Sequence, residues 1–145
     1  MNKLLQLLKT YQATLHAGAI NIHNLHWNLE DQLFFTLHPY LGDLYETLND
    51  NEDETAEQIR FFQDNPITKL DVISTTSMLP TLDSKTCTAS EAIDTALETF
   101  QIIYDLTIEV VAEADKINAW AAVEKFSGHL VTYEKIIYFL RSSSK

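Results

Sequence analysis

Two histidines and two carboxylates in the first half of the chain are of types that bind metal ions. Asp53 and Glu57 are four residues apart, so on a helix they share a face and repel each other unless a cation or proton lies between them. Carboxylate oxygens combined with the imidazole nitrogens of His26 and His38 suit iron and other divalent metals. Cys87 is the only cysteine, which excludes a thiolate zinc cluster and an intrachain disulfide. The residue types therefore predict a metal site, with Fe(II) as a candidate.

The spacing of these residues predicts that the site is shared between two chains. Asp53 follows His38 by fifteen residues, which is roughly 22 Å along a helix at about 1.5 Å per residue. His26 and His38 each lie six residues from residue 32, so they can reach the same height on two adjacent helices. If the acid-bearing helix packs antiparallel against its copy, a two-fold axis brings the histidines of one chain opposite the acids of the other.

A purely structural interpretation of the same residues is also open. In it, His26 and His38 are hairpin histidines satisfied by nearby polar groups, and Asp53 and Glu57 are simply exposed. The acidic run "NDNEDE" that contains Asp53 would by default be a solvated helix face. Residue type and spacing alone do not decide between the two interpretations.

Apolar residues recur every three or four positions along most of the chain, which predicts amphipathic helices. Three glycines and three prolines are too few for an all-β or Rossmann-type fold. Thr88 and Glu91 form a capping box, Asn118 can cap the last helix, and Asn65-Pro66 is a start signal for a brief helix in "PITKLDVIS". The predicted segments are helix A at 2–29, helix B at 33–62, a crossover at 63–88, helix C at 89–115 and helix D from Asn118 to Arg141.

The order of these segments predicts two helical hairpins joined by a long crossover. The short break after helix A makes helices A and B antiparallel neighbours, and the long connection should run the length of the bundle. We therefore expect one all-α domain over residues 1–145, a four-helix bundle with a short helix in its crossover, as in ferritin-like bundles.

The charge balance limits the partners that the protein can have. Ten basic and 21 acidic residues give a net charge of −11, which disfavours nucleic acid and favours cations. The opening "MNKLLQLLKTYQ" contains no long apolar run, so it predicts neither a secretory signal nor a transmembrane span. We expect a cytoplasmic protein without a membrane partner.

The motif residues resemble the signature of the Dps family of mini-ferritins (DNA-binding protein from starved cells). In that family, a His-Trp pair near the end of the first helix is followed by Phe, Leu-His, Leu-Tyr and then Asp-x-x-x-Glu on the second. "NPITKLDVIS" resembles the crossover helix and "EKIIYFL" the closing helix, so the resemblance covers nearly the whole chain. The matching residues are His26-Trp27, Phe34-Phe35, Leu37-His38, Leu44-Tyr45 and Asp53-x-x-x-Glu57.

The resemblance implies a hollow homododecamer whose two-fold interfaces carry ferroxidase sites. Such sites oxidise Fe(II), usually with hydrogen peroxide, and the ferric product is stored inside. By this resemblance, His26 of one chain with Asp53 and Glu57 of its partner would hold the first iron, and His38 would serve a second, weaker position. Trp27 would lie beside the site and intercept stray oxidising equivalents, or simply pack at the helix end.

One position departs from the family pattern. The family usually has an acid four residues after His38, where this chain has Gly42, which donates no ligand. A second hypothesis is therefore a non-catalytic, Dps-like shell or interaction protein whose site has decayed. The Lys-rich extension with which many family members hold DNA is also absent, so we do not expect DNA binding.

The three remaining histidines have no assigned role in the motif. His16 and His23 are seven residues apart on one face of helix A, which indicates a polar stripe at an interface or surface, or a weak metal site. His129 lies in helix D without a partner that the sequence identifies.

Overall fold

Five helices form in the computed structural model, which describes residues 1–145. Four are long and one is short, and the only β-type contact is an isolated bridge between Leu29 and Cys87. The prediction of an all-α bundle with a short helix in the crossover is confirmed. None of the helices is both long enough and apolar enough to cross a membrane. The helices are α1 (Asn2–Asn28), α2 (Phe34–Phe61), α3 (Leu70–Thr76), α4 (Ala89–Lys116) and α5 (Trp120–Ser143).

The core lies between the four long helices because each buries its apolar stripe. Helices α1 and α2 form one hairpin, α4 and α5 form the other, and α1 also packs against α4. Every long helix contributes side chains that are fully buried. Examples are Leu8 and Ile22 of α1, Leu48 of α2, Ile103 of α4 and Phe126 of α5. The apolar faces predicted from residues that recur every three or four positions are therefore the faces that the bundle buries.

The crossover runs along α1 because buried amide side chains of α1 bind its backbone. The Gln12 amide donates to the carbonyl of Ile67 at 2.7 Å and accepts from its N–H at 2.9 Å. Further along α1, Asn21 donates to the carbonyl of Pro80 at 2.8 Å and accepts from the N–H of Leu82 at 2.9 Å. Each amide uses both of its polar atoms, which offsets the cost of burying it.

The expected helix start at Asn65-Pro66 is wrong, because α3 begins only at Leu70. The Asn65 side chain accepts a hydrogen bond from the Arg60 guanidinium at 2.7 Å, so it does not cap a helix of its own. Ile67, next after Pro66, is tied to Gln12 through both of its backbone polar groups. The nearby Arg60 and the distant Gln12 therefore occupy the groups that would otherwise start a helix here.

The capping box at the start of α4 is confirmed, and the cap predicted at Asn118 is wrong. Thr88 and Glu91 exchange both hydrogen bonds of the box. Asn118 instead adopts a left-handed conformation with φ of 58°. Its N–H bonds the carbonyl of Asp115, and the N–H of Ala119 bonds that of Ala114. These two bonds are a Schellman motif, so Asn118 ends α4 and does not begin α5.

A chain of hydrogen bonds that is buried except at its Glu54 end connects α1, α2 and α5. The hydroxyl of Tyr11 lies 2.7 Å from that of Tyr133 and 2.8 Å from Nδ1 of His129. Asn51 donates to the Tyr133 hydroxyl at 2.8 Å, and Nε2 of His129 lies 2.7 Å from Oε2 of Glu54. No buried polar side-chain atom of the protein lacks a partner. This polar cluster specifies one packing of the three helices, since any shift would break several bonds.

We expect acid to destabilise the bundle through His129. Burial lowers the pKa of His129 from its ordinary value of 6.5, although the hydrogen bond to Glu54 acts in the opposite direction. The folded state therefore favours the neutral ring of His129. The resulting stabilisation is fully present above the pKa that His129 has in the unfolded chain, and it is lost as the pH falls towards the lower pKa of the folded state. Denaturant unfolding of metal-free protein at about pH 7.5 and about pH 5.5 measures the loss.

The control for this prediction is His129→Gln, which cannot titrate. The parent should lose more unfolding free energy than the variant between the two pH values. Equal losses would show that His129 is not the source of the pH dependence.

Candidate metal centre

His26 and His38 are held together by reciprocal hydrogen bonds at the end of the first hairpin. Nδ1 of His26 lies 2.6 Å from the backbone carbonyl of His38, and Nδ1 of His38 lies 2.7 Å from that of His26. Their rings stack with centroids 3.7 Å apart. Phe34 stacks on the other side of His38, with ring centroids 4.5 Å apart. The antiparallel hairpin thus brings the two predicted histidines to the same height and fixes their rings.

These hydrogen bonds determine which nitrogen of each ring is free. A backbone carbonyl only accepts, so both Nδ1 atoms must carry a proton. In the neutral ring Nε2 then keeps its lone pair, and both recorded bonds use Nδ1 alone. Metal-binding histidines usually donate their second ring N–H to a carbonyl or carboxylate in this way. His26 and His38 are therefore in the tautomer that a metal ligand needs.

Asp53 and Glu57 lie exposed on the outer face of α2. The acidic residues on either side of Asp53 are hydrogen-bonded to histidines of other helices. Nδ1 of His16 in α1 donates to Glu52 at 2.9 Å, and Nε2 of His129 in α5 donates to Glu54 at 2.7 Å. Asp53 is about 100° around the helix from each of these two, so it faces neither α1 nor α5. The acidic run is thus only partly a solvated face, and its free acids project away from the bundle.

The four predicted residues form two separate groups in the monomer. The histidines lie at the end of the hairpin, and along the α2 axis Asp53 lies about 22 Å and Glu57 about 28 Å from His38. No three His, Cys, Asp or Glu side chains come together within one chain to hold a metal ion. A site that combines both groups requires a second copy of the chain.

An aromatic stack lies beside the histidine pair and includes Trp27. His23 lies between Trp27, at a centroid distance of 3.6 Å, and Tyr45, at 4.0 Å. The centroid of His23 is 5.8 Å from that of His26. Trp27 is 67% exposed, so it is not a core residue. The structure places it one ring away from the histidine pair, at the surface.

Gly42 lies directly under the His26 ring. A Cβ atom at this position would be 3.1 Å from Cε1 and 3.3 Å from Nδ1 of His26, which is closer than side chains normally pack. The Cε1 and Nδ1 atoms of the ring lie against the backbone of α2 at this position, and His38 stacks on the ring. In this chain the imidazole thus lies over the position from which the family's usual acid would extend. The sequence shows only the lost ligand, whereas the structure shows what occupies its place.

Replacing Gly42 with Ala should separate stability from metal binding. Alanine favours a helix over glycine, but its Cβ would push His26 away from the carbonyl of His38. We expect the gain in stability to be offset by this contact, and divalent-metal affinity to fall about 10-fold or more, as for other changes to the surroundings of a ligand. Calorimetric titration of the assembled protein with Co(II) and denaturant unfolding measure the two effects.

Gly128 provides the matched control because a Cβ there would meet nothing within 4 Å. Gly128→Ala should stabilise α5 by about 0.5–1 kcal/mol and leave metal affinity unchanged. If Gly42→Ala behaved in the same way, the contact with His26 would not matter for binding.

The sequence did not identify the partners of the other histidines. His16 and His23 do share a side of α1, but each contacts a different residue of α2, namely Glu52 and Tyr45. They do not converge on one ligand position. His129 is buried, and its two ring nitrogens bond Tyr11 and the exposed Glu54. Only the register between helices reveals these pairs, because the partners are far apart in sequence.

Comparison with known proteins agrees with this architecture. The model of the ferritin-like domain family matches residues 5–143. The DNA protection during starvation protein of Listeria monocytogenes is 25% identical over 141 residues, covering 97% of this chain and 84% of that protein.

Solved structures show the same fold over almost the whole chain. Dps from Staphylococcus aureus superposes with a TM-score of 0.94 at 21% identity, covering 100% of this chain and 97% of that one. The DPS protein from Vibrio cholerae, described as a member of a broad superfamily of ferritin-like diiron-carboxylate proteins, gives 0.95 at 19% identity, covering 99% and 90%. The chain therefore belongs to the ferritin-like domain family, and it is similar in sequence and in fold to Dps proteins.

Proposed function

We propose that this protein oxidises Fe(II) at sites between two subunits and stores the ferric product within a hollow homo-oligomer, a dodecamer as in its family. Iron storage in general is what membership of the family implies. The finer proposal concerns the oxidation, its location and its oxidant, which we take to be hydrogen peroxide. The observation that carries it is the histidine pair, whose Nδ1 atoms are both bound to carbonyls so that both Nε2 atoms are left to bind a metal.

Each residue has a distinct part in this proposal. Nε2 of His26 in one subunit, with Asp53 and Glu57 of its partner subunit, would hold the first Fe(II). His38 would serve the second position, which Gly42 leaves without its usual acid. The two exposed carboxylates favour a divalent cation because it relieves their mutual repulsion. A net charge of −11 adds a long-range attraction for cations.

The chemistry needs two electrons for each peroxide. Two Fe(II) ions supply one electron each, peroxide accepts both with two protons, and two waters leave. Because the electrons transfer as a pair, hydroxyl radical is not released. The protein's part is to hold both ions beside each other, with the histidine rings fixed in advance by their carbonyl partners. Trp27 lies at the surface one ring away, where it can intercept an oxidising equivalent that escapes.

The alternative is a non-catalytic shell, and Gly42 is the observation that favours it. The His26 ring lies against Gly42, so an acid could be accommodated only if the ring moved. A site that has lost its second position could bind one metal ion without oxidising it rapidly. The shell and the ferroxidase therefore differ in rate and not in architecture.

Rapid-mixing absorbance of Fe(II) oxidation tests the proposal. Purified protein is mixed with Fe(II) and then with peroxide, or separately with oxygen, beside buffer and beside Asp53→Asn/Glu57→Gln. The parent should oxidise iron much faster than buffer, with peroxide faster than oxygen, and the variant should match buffer. A parent rate equal to the buffer rate would establish the non-catalytic shell instead.

A further inference from the structure

The buried side chains of Tyr11, Tyr133, His129 and Asn51 form one hydrogen-bonded cluster that ends at the exposed carboxylate of Glu54. The protein has six tyrosines. Only Tyr11 and Tyr133 have hydroxyls that bond other side chains, and only Tyr11 bonds a histidine. Both tyrosines are fully buried. Tyr11 is therefore the one tyrosine whose phenol proton lies next to a base that can accept it.

The hydrogen-bond chain begins at a donor, the Asn51 amide, and finishes at an acceptor, the Glu54 carboxylate, and these two groups fix the direction of every bond between them. The Glu54 carboxylate accepts, so Nε2 of His129 carries the proton, and the neutral ring therefore accepts at Nδ1. Tyr11 must then donate to His129. Asn51 donates to the Tyr133 hydroxyl, which in turn donates to Tyr11. The proton of Tyr11 thus lies on a 2.8 Å hydrogen bond to the free nitrogen of a base.

We propose that Tyr11 is a one-electron redox site that gives an electron to strong one-electron oxidants while its proton moves to His129. The O–H bond of Tyr11 breaks, the electron reduces the oxidant, and a new N–H bond forms at Nδ1 of His129. The products are a neutral tyrosyl radical and an imidazolium. When a reductant returns the electron, the proton moves back along the same hydrogen bond.

The surroundings of Tyr11 favour this coupled step over its alternatives. Burial raises the pKa of Tyr11 well above its ordinary value, so a tyrosinate does not form near neutral pH. A radical cation would be a new charge in an apolar core, which is costly. Moving the proton to His129 avoids that charge on the phenol, and the Glu54 carboxylate pairs with the imidazolium at 2.7 Å. The donated bond from Tyr133 remains to the oxygen of the radical.

An open cleft gives oxidants access to the edge of this cluster. The cleft has a volume of about 600 Å³ and lies between α2 and α5. Asn51, Glu54 and His129 line it, together with Gly128 and Thr132. A small oxidant in the cleft would be next to His129 while Tyr11 itself stays shielded from solvent. A shielded radical is long-lived, which suits a site that holds an oxidising equivalent until a reductant arrives.

The test uses the metal-free, full-length protein, so its outcome does not depend on iron oxidation. Photogenerated tris(bipyridine)ruthenium(III) serves as the one-electron oxidant, and transient absorption with EPR detects neutral tyrosyl radical. We expect a long-lived tyrosyl signal in the parent that is mostly lost in Tyr11→Phe and in His129→Gln, since glutamine can bond but cannot take the proton. Tyr138→Phe is the control, because Tyr138 is 57% exposed and its hydroxyl has no protein partner; it should keep the signal.

A second measurement does not require a variant that folds. The radical of the parent should show hyperfine couplings to hydrogen-bonded protons that vanish after exchange into D2O, as expected for an oxygen that accepts bonds from Tyr133 and protonated His129. A full signal in Tyr11→Phe or His129→Gln would overturn the proposal. A parent radical without exchangeable couplings would also overturn it, because that radical would lie outside the cluster.

Discussion

Two variants of this chain that are each inactive should regain iron oxidation when they are assembled together. One variant is Asp53→Asn/Glu57→Gln, which lacks the acids. The other is His26→Gln/His38→Gln, whose amide N–H groups can still bond the opposing carbonyls. In a mixed two-fold dimer, one site receives the intact histidines of the acid variant and the intact acids of the histidine variant. The second site of the same dimer receives neither group.

The fraction of complete sites in the mixed assemblies determines how much iron oxidation should return. Random pairing of equal amounts makes half of the dimers mixed, and each mixed dimer holds one complete site, so about a quarter of the parent's sites should return. The variants are co-expressed or refolded together, and native mass spectrometry measures the mixed assemblies. Folded homo-oligomers that are mixed without disassembly should stay inactive. If mixed assemblies form and oxidise no faster than buffer, the donors of the two chains do not share a site.

The same removal of a hydroxyl should have very different effects at two positions of α5. Tyr133→Phe leaves the buried amide of Asn51 without its acceptor and Tyr11 without a donor. We expect the free energy of unfolding to fall by about 2–4 kcal/mol, the lost bonds adding to the cost of the unsatisfied buried donor. Tyr138→Phe removes an exposed hydroxyl without a protein partner and should change stability by less than about 0.5 kcal/mol.

Denaturant unfolding at neutral pH, with a shared slope, measures both variants. The comparison is matched because the change is chemically identical and both residues lie in the same helix. Similar losses for the two variants would show that the hydrogen-bond chain does not stabilise the packing of α1, α2 and α5.

Much of the fold could be predicted because its signals are local. Apolar residues at steps of three and four determine which face of each helix is buried, whatever that face meets. The capping box of Thr88 and Glu91 closes within one turn, so the sequence alone places the start of α4. The acid pair of Asp53 and Glu57 could also be placed on one face, since helix geometry alone makes residues four apart neighbours.

The two wrong predictions concern helix-start signals whose residues are also compatible with another local conformation. Asn118 is of a type that begins helices, but asparagine also tolerates the left-handed conformation that ends them, and here it ends α4. Asn65 is hydrogen-bonded to Arg60, and the backbone of Ile67 is hydrogen-bonded to Gln12. In each case a hydrogen bond to a nearby or a distant part of the chain decided between two locally acceptable conformations.

The candidate site divides in the same way. Sequence spacing alone predicts that His26 and His38 reach the same height and that the acids lie too far away to join them. Only the tertiary structure shows that each histidine donates to the other's carbonyl, and that Gly42 makes room for the His26 ring. Likewise, Tyr11 meets residues more than a hundred positions away. Helical periodicity specifies a face, but the partners on that face depend on the register between helices, which forms only when the hairpins pack.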